Sequence, residues 1–161
     1  MSETAQEYEA RKERARDILR RFKRCERATR SARAVNIASG STSGSSAFEM
    51  MARERRMQDW VTNVKWVLQR VGLTGAAVLV NHLTAQTHSQ AMSFRTIGVV
   101  LKMSERDVDV VFRLALTSFL FLIDDRRIPD DYNSNPEAVA HVAEMCAAAM
   151  SEPPQRCAVV T

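Results

Sequence analysis

Glycine and proline are scarce in this chain, with five and four residues among 161. Aromatic residues make up only 6%, and few segments show the two-residue alternation of an exposed strand. The helix formers Ala, Leu, Met, Arg and Glu dominate instead, and a hydrophobic share of 45% supports a folded core. The sequence therefore predicts an all-α protein, and its length suits one modest domain with appendages.

Signals for an enzyme or a metal site are poor. The three cysteines and three histidines are widely spaced and show no ligand, redox or disulfide pattern; they are Cys25, Cys146, Cys157, His82, His88 and His141. There is no Gly-rich phosphate loop and no convincing Ser/His/Asp arrangement. The paired acids at 124–125 and 130–131 are typical of solvated loops. We expect no enzyme activity, no catalytic residue, no metal and no cofactor.

The N-terminus is charged rather than apolar, which argues against a secretory signal. The strongest apolar run, Leu114 to Ile123, is too short to span a bilayer. These features, with the unpaired cysteine pattern, favour a reducing cytoplasm and no membrane contact.

Charge is distributed unevenly along the chain. Residues 1–37 carry eleven Lys/Arg against six Asp/Glu, residues 38–123 nine against six, and residues 124–161 three against seven. The net charges are therefore +5, +3 and −4. A basic arm, a mildly basic centre and an acidic tail suit a protein that binds a polyanion, and they also suit ordinary solvated helices.

Residues 1–37 have the pattern of a basic amphipathic helical arm, with a helix over about residues 4–33. Ala15, Ile18, Leu19, Phe22 and Cys25 recur at three- and four-residue steps and form an apolar stripe. That stripe docks either on the core or on a second copy of the chain, and the sequence leaves both alternatives open.

The other faces of this helix are basic. From Arg11 to Arg16 the cations are interleaved with acids such as Glu13, which is typical of a solvated face. From Arg20 to Arg33 the only acid is Glu26, which favours an arm that contacts phosphates. The phosphate-contacting candidates are Arg20, Arg21, Lys23, Arg24, Arg27 and Arg30.

A Ser/Gly-rich flexible linker is predicted at residues 38–46, followed by a helical domain over 47–150 and a loose tail over 151–161. Within the domain we predict one helix to about Val71, ended by Gly72, and another over about 74–87. A loop over 86–91 follows. Pro136 opens an Ala-rich helix to about residue 150.

Residues 94–113 have the form of a helix-turn-helix: a helix, a tight turn and a second helix crossing the first. The positions that seal the angle between such helices are apolar; they are Ile97, Leu101, Met103, Val108 and Val111. Gly98 is small where the helices approach. Lys102 occupies the turn position that usually holds glycine, because the chain there favours a left-handed backbone. Ser93 and Ser104 are predicted N-caps.

The outer face of the second helix would enter the major groove of DNA. In that interpretation Arg106 or Arg113 contacts guanine, Glu105 or Asp109 accepts from a cytosine amine, and Val110 meets a thymine methyl. Arg95 and Lys102 would hold phosphates, and the capped helix start at Ser104 would do the same. The two outward acids oppose this interpretation, because they repel phosphates.

Residues about 74–122 resemble the three-helix unit of sigma-factor region four and the related response-regulator output domains. The resemblance is carried by Ser93-Phe94-Arg95-Thr96-Ile97-Gly98 and by Met103-Ser104-Glu105-Arg106-Asp107-Val108. It implies a DNA-binding helix-turn-helix. Lys102 in place of the turn glycine and the acidic recognition face depart from the family pattern.

Two hypotheses follow. The first is a DNA-binding transcriptional regulator that acts on double-stranded DNA through the helix-turn-helix, with the first helix adding phosphate contacts or forming a homodimer. The alternative is a protein-interaction adaptor with a degenerate helix-turn-helix, for example on RNA polymerase or another regulator.

Overall fold

Five α-helices make up the described part of the chain. The computed structural model describes residues 2–38, 45–84 and 92–133. The helices are α1 (Ala5–Ala38), α2 (Ser45–Val71), α3 (Leu73–Leu83), α4 (Phe94–Leu101) and α5 (Glu105–Asp125). These three ranges contain no strand, so the prediction of an all-α protein is confirmed.

Single residues at the helix termini determine where several of these helices begin or end. Gly72 separates α2 from α3. Its φ is 102°, a backbone conformation that residues with a side chain rarely adopt. Ser93 and Ser104 cap α4 and α5: the hydroxyl of each accepts from a backbone N–H three residues on. The helix predicted to reach Thr87 ends earlier, at Leu83, so that boundary was wrong. The backbone of Thr84 leaves the helical conformation, with φ −116° and ψ 79°, while its N–H still donates to the Val80 carbonyl oxygen.

The helix α5 is the centre of the fold, because it packs against each of the other four helices. Its buried residues are Val108, Phe112, Ala115, Leu116, Phe119, Leu120 and Ile123. They meet the core of α2, where Trp60 is fully buried and donates its indole N–H to the Pro129 carbonyl oxygen at 2.7 Å. By contrast, α4 packs only on α3 and α5 among the described helices, so it lies at an edge of the molecule.

The apolar stripe of α1 packs into this same core. Ala15, Ile18 and Leu19 are fully buried, and Phe22 and Cys25 nearly so. The helix contacts α2, α3 and α5. Of the two alternatives left open by the sequence, docking on the core is the one observed.

Several predicted features lie outside the described residues. They are the body of the linker at 39–44, the whole of the loop at 86–91, the Ala-rich helix at 136–150 and the tail at 151–161. Ala38 belongs to α1, and α2 begins at Ser45, so both helices reach into the range predicted as linker.

Candidate nucleic-acid interface

The turn between α4 and α5 is built on one close backbone contact. The Gly98 carbonyl oxygen accepts the Met103 backbone N–H at 2.8 Å. A Cβ atom on residue 98 would lie 2.6 Å from the Met103 carbonyl oxygen, so only glycine fits there. Lys102 adopts the left-handed conformation, with φ 57° and ψ 44°. The backbone at Lys102 is therefore the one expected for glycine, although the residue is lysine.

Apolar side chains fill the angle between the two helices. Ile97 and Val108 are buried, and Leu101, Met103 and Val111 pack half-buried against the core. At the start of α5, Ser104 accepts the Asp107 backbone N–H at 3.1 Å, and its hydroxyl donates to the Asp107 carboxylate at 2.7 Å. One of the acids near the predicted DNA face is therefore engaged by the cap of its own helix.

The predicted DNA-contacting residues divide into two groups. Most of them are exposed on the surface of α4, the turn and the first turns of α5; they are Arg95, Lys102, Ser104, Glu105, Arg106 and Val110. Within the described part of the chain, Arg95, Lys102 and Arg106 form no ion pair and no side-chain hydrogen bond. Three cations thus remain free for a ligand.

Arg113 and Asp109 form the second group, because they bind each other. The Arg113 Nε lies 3.1 Å from an Asp109 carboxylate oxygen. The same guanidinium lies 4.9 Å from the centroid of the Tyr8 ring, a cation–π contact with the first turns of α1. Asp109 raises the pKa of Arg113 through a hydrogen bond and its charge. The Arg113–Asp109 ion pair is exposed. A ligand can therefore reach both side chains, although it must replace the bond between them.

The predicted arm of α1 is also divided. Arg21 donates to the Asp130 carbonyl oxygen at 2.7 Å, and Arg30 pairs with Glu26 at 3.1 Å. The other four candidates form no ion pair among the described residues; they are Arg20, Lys23, Arg24 and Arg27. We call these four the basic ridge. Burial lowers the pKa of Lys23, and the like charge of neighbouring Arg27 lowers it further.

The first half of α1 uses its cations within the fold. Arg14 binds Asp124 at 2.6 Å and Asp130 at 2.9 Å, and these carboxylates raise the pKa of Arg14. Arg11 binds Glu3 and donates to the Thr117 hydroxyl, while Arg16 pairs with Glu13. The sequence interleaves acids with these cations, so it predicted that they would be less available to a ligand than those from Arg20 onward. The basic ridge is therefore the free part of α1.

Two features of this surface were not predicted. One is the contact of α1 with Arg113, for which Tyr8 carries no local signal. The other is a set of large apolar side chains left in solvent, in addition to Val110, whose outward position the sequence predicted; they are Val99, Val100, Leu114 and Phe121. Sequence alone showed that the apolar character of α5 is continuous but not that Leu114 and Phe121 face outward.

Comparison of the chain with protein families, curated proteins and solved structures finds no significant match. In the described ranges, no group of His, Cys, Asp and Glu side chains is arranged to hold a metal ion. None of the described helices combines the length and apolar character that crossing a bilayer requires.

Proposed function

We propose that this chain is a DNA-binding transcriptional regulator of the cytoplasm, and that it contacts duplex DNA through α4, the turn and the first turns of α5. One observation carries the proposal: Arg95 on α4, Lys102 in the turn and Arg106 at the start of α5 are exposed, and none of them forms an ion pair or side-chain hydrogen bond within the described residues. The free backbone N–H groups at a helix start add positive potential at the same place. This combination attracts phosphates.

Each residue has a role in this proposal. Arg95 and Lys102 hold phosphates, which position the protein without reading sequence. Arg106 reaches a guanine edge, and Glu105 accepts from a cytosine amine. The thymine methyl contact falls to Val110. Asp109 and Arg113 join the contact only when DNA replaces the bond between them.

The basic ridge on α1 supplies a second, non-specific contribution. Its four cations lie within eight residues on the side of α1 away from the buried stripe. Each phosphate that such a cation neutralises releases counterions, so affinity depends on salt. RNA polymerase or another regulator remains a candidate protein partner for the remaining surface.

Binding to random-sequence duplex DNA tests the proposal. Fluorescence anisotropy of a labelled duplex is measured with the full chain at about 50 mM and about 200 mM salt. We expect binding at the lower concentration and a steep loss at the higher one. A chain that leaves the duplex unbound at low salt would refute the function.

The protein-interaction adaptor is the second candidate, favoured by the exposed apolar residues of α5 and by the acids Glu105 and Asp109 near the start of that helix. An adaptor forms a tight complex with a protein in the absence of nucleic acid. Substitutions at Ile18 or Phe22 are unsuitable for testing it, because both side chains lie in the core and their loss would unfold the chain. Substitutions at exposed Val99 or Val100 avoid that problem.

A further inference from the structure

The start of α1 lies along one flank of α5. Three side-chain contacts join the two helices: Tyr8 with Arg113 at 4.9 Å from the ring centroid, Arg11 with the Thr117 hydroxyl at 3.0 Å, and Arg14 with Asp124 at 2.6 Å. The residue numbers rise together in the two helices, so α1 and α5 run in the same direction here. The first residues of α1 are therefore next to the first half of α5, which carries the proposed DNA interface.

The segment that begins α1 is acidic. Residues 2–9 contain three glutamates and no lysine or arginine, and we call them the acidic segment. Glu3 binds Arg11 at 2.6 Å and lies within electrostatic reach of Arg113. Asp109 is the main cause of the raised pKa of Arg113, Tyr8 and Glu3 contribute to it, and desolvation only partly offsets them. Negative charge at this place opposes the approach of DNA phosphates.

Arg113 is bound by residues of two helices. On its own helix it pairs with Asp109 at 3.1 Å, and from α1 the half-buried ring of Tyr8 contacts its guanidinium. The contact with Tyr8 places the guanidinium against α1. Arg113 is therefore the predicted DNA-contacting residue that the start of α1 engages directly.

The acidic segment is attached to the fold by few contacts. Residues 2–7 are exposed, and Tyr8 packs against the core. Thr4 and Glu7 hold the first turn by bonds to each other, at 2.8 Å from the Thr4 N–H to the Glu7 carboxylate and 3.2 Å from the Glu7 N–H to the Thr4 hydroxyl. Terminal helix turns that bury little apolar surface open at a low free energy. The buried stripe further along α1 can hold the rest of the helix in place while the start is released.

We propose that the acidic segment inhibits DNA binding by its own chain: Tyr8 retains Arg113, and Glu3 repels the phosphates beside it, until DNA displaces both. This inference rests on the proposed function, because it concerns the same interface. The duplex then competes with a contact inside the chain. Each interaction that stabilises the inhibited state therefore lowers the apparent affinity for DNA.

Two variants of Tyr8 test the competition. Tyr8→Leu keeps an apolar side chain on the core but offers no aromatic face to Arg113, whereas Tyr8→Phe keeps the ring and is the matched control. Anisotropy with a labelled random-sequence duplex at about 50 mM salt should show binding about two- to fivefold tighter for Tyr8→Leu, the gain expected from losing an exposed cation–π contact. Tyr8→Phe should bind like the wild type. A Tyr8→Leu affinity equal to that of the wild type, or an equal gain in Tyr8→Phe, would overturn the proposal.

Arg113→Ala shows whether Tyr8 acts through Arg113. In the Arg113→Ala background, Tyr8→Leu should give no further gain in affinity, because the residue that it releases is absent. A gain of the same size with and without Arg113 would assign the effect to some other change in the protein and would count against the proposal.

Glu3→Gln tests the electrostatic part of the inhibition without altering the shape of the side chain. We expect binding about twofold tighter at about 50 mM salt and a smaller gain at about 200 mM, because salt screens exposed charges. Glu54→Gln is the matched control, because it removes one negative charge from α2, outside the proposed interface. Equal gains in the two variants would contradict a local effect of Glu3.

Failure of the inhibition and failure of the proposed function give different results. NMR of the full chain without DNA follows the side-chain Nε–H signal of Arg113, which should move in Tyr8→Leu because the ring current of Tyr8 is lost. If only the inhibition is wrong, the wild type and Tyr8→Leu bind duplex equally. If the function is wrong, neither protein binds duplex and the NMR difference is still seen.

Adding duplex to the wild type tests the displacement itself. The Arg113 Nε–H signal should leave the position that it has beside the Tyr8 ring, and amide hydrogen exchange over residues 5–9 should become faster. A complex in which the Arg113 signal and the exchange rates stay unchanged would show that DNA binding and the Tyr8 contact do not compete.

Discussion

A Cβ atom placed on Gly98 would lie 2.6 Å from the carbonyl oxygen of Met103. The two residues are also joined by a hydrogen bond from the Met103 backbone N–H to the Gly98 carbonyl oxygen. Glycine therefore allows the end of α4 to close against the chain that leads into α5. The relative placement of the two helices, and of the free cations they carry, depends on this close approach.

Replacing Gly98 with alanine should destabilise the protein. Alanine improves helix propensity by about 1 kcal/mol, but the added methyl group meets a backbone oxygen that cannot move without displacing the turn. We expect a net loss of about 1–2 kcal/mol in the free energy of unfolding, measured by urea denaturation. Val99→Ala, at the next residue, is the control. Val99 is 77% exposed, so this change should alter the free energy of unfolding by less than about 0.5 kcal/mol. If the Gly98 variant is as stable as the wild type, residue 98 and the Met103 carbonyl oxygen are not in close contact.

Lys102→Gly should stabilise the fold. Lys102 holds a left-handed conformation that costs a side-chain residue about 1 kcal/mol and costs glycine little. Thermal denaturation should show a higher Tm for the glycine variant, even though it lacks the lysine charge. Lys102→Ala removes the same charge without relieving the backbone and should give no gain. A gain in the alanine variant equal to that in the glycine variant would assign the effect to charge.

Stability should fall as the pH drops below about 6.5 because of His82. Its ring lies 4.4 Å from the Phe94 ring and 4.9 Å from the Phe112 ring, and its Nδ1–H donates to the Met92 carbonyl oxygen at 2.9 Å. Burial lowers the pKa of His82 and outweighs the hydrogen bond to Met92, which raises it; the charges of Lys12 and Arg16 act in the same direction as burial. The unfolded chain therefore binds a proton before the folded one does, so acid favours unfolding.

Urea denaturation at several pH values between about 5 and 7.5 measures this effect. The wild type should lose stability across that window, and His82→Gln should lose less because glutamine at position 82 does not titrate. An identical pH dependence in the two proteins would rule out His82 as the source.

The helix boundaries followed from local chemistry, which is why the sequence predicted many of them. Ser93, Ser104 and Gly72 act on neighbouring backbone groups, and each one ends or begins a helix at the predicted position. The end of α3 is the exception, since the periodicity suggested a helix to about residue 87 and α3 ends at Leu83.

Long-range contacts could not be predicted in this way. Arg14 pairs with Asp124, more than one hundred residues away, and Tyr8 contacts Arg113 across a similar separation. In α5, apolar residues cover most of the circumference, so periodicity alone did not separate buried Phe119 from exposed Phe121. Those contacts decide which cations stay free, and this part of the candidate site required the structure.

The basic ridge should set much of the salt dependence of DNA binding. Changing Arg20, Lys23, Arg24 and Arg27 together to glutamine removes four unpaired cations that support no described contact, so stability should change little. The slope of log affinity against log salt should decrease by roughly 0.9 for each phosphate that the variant no longer neutralises, and so by up to about 3.6. A slope unchanged from the wild type would show that α1 does not touch the phosphates.

Comparing Arg106→Ala with Arg127→Ala tests the central claim most directly. Both arginines are exposed and unpaired among the described residues, but they lie at opposite ends of α5, and only Arg106 belongs to the proposed interface. Anisotropy with a duplex at low salt should show binding about tenfold weaker for Arg106→Ala, and binding within about twofold of the wild type for Arg127→Ala. Equal affinities of the two variants would contradict the account.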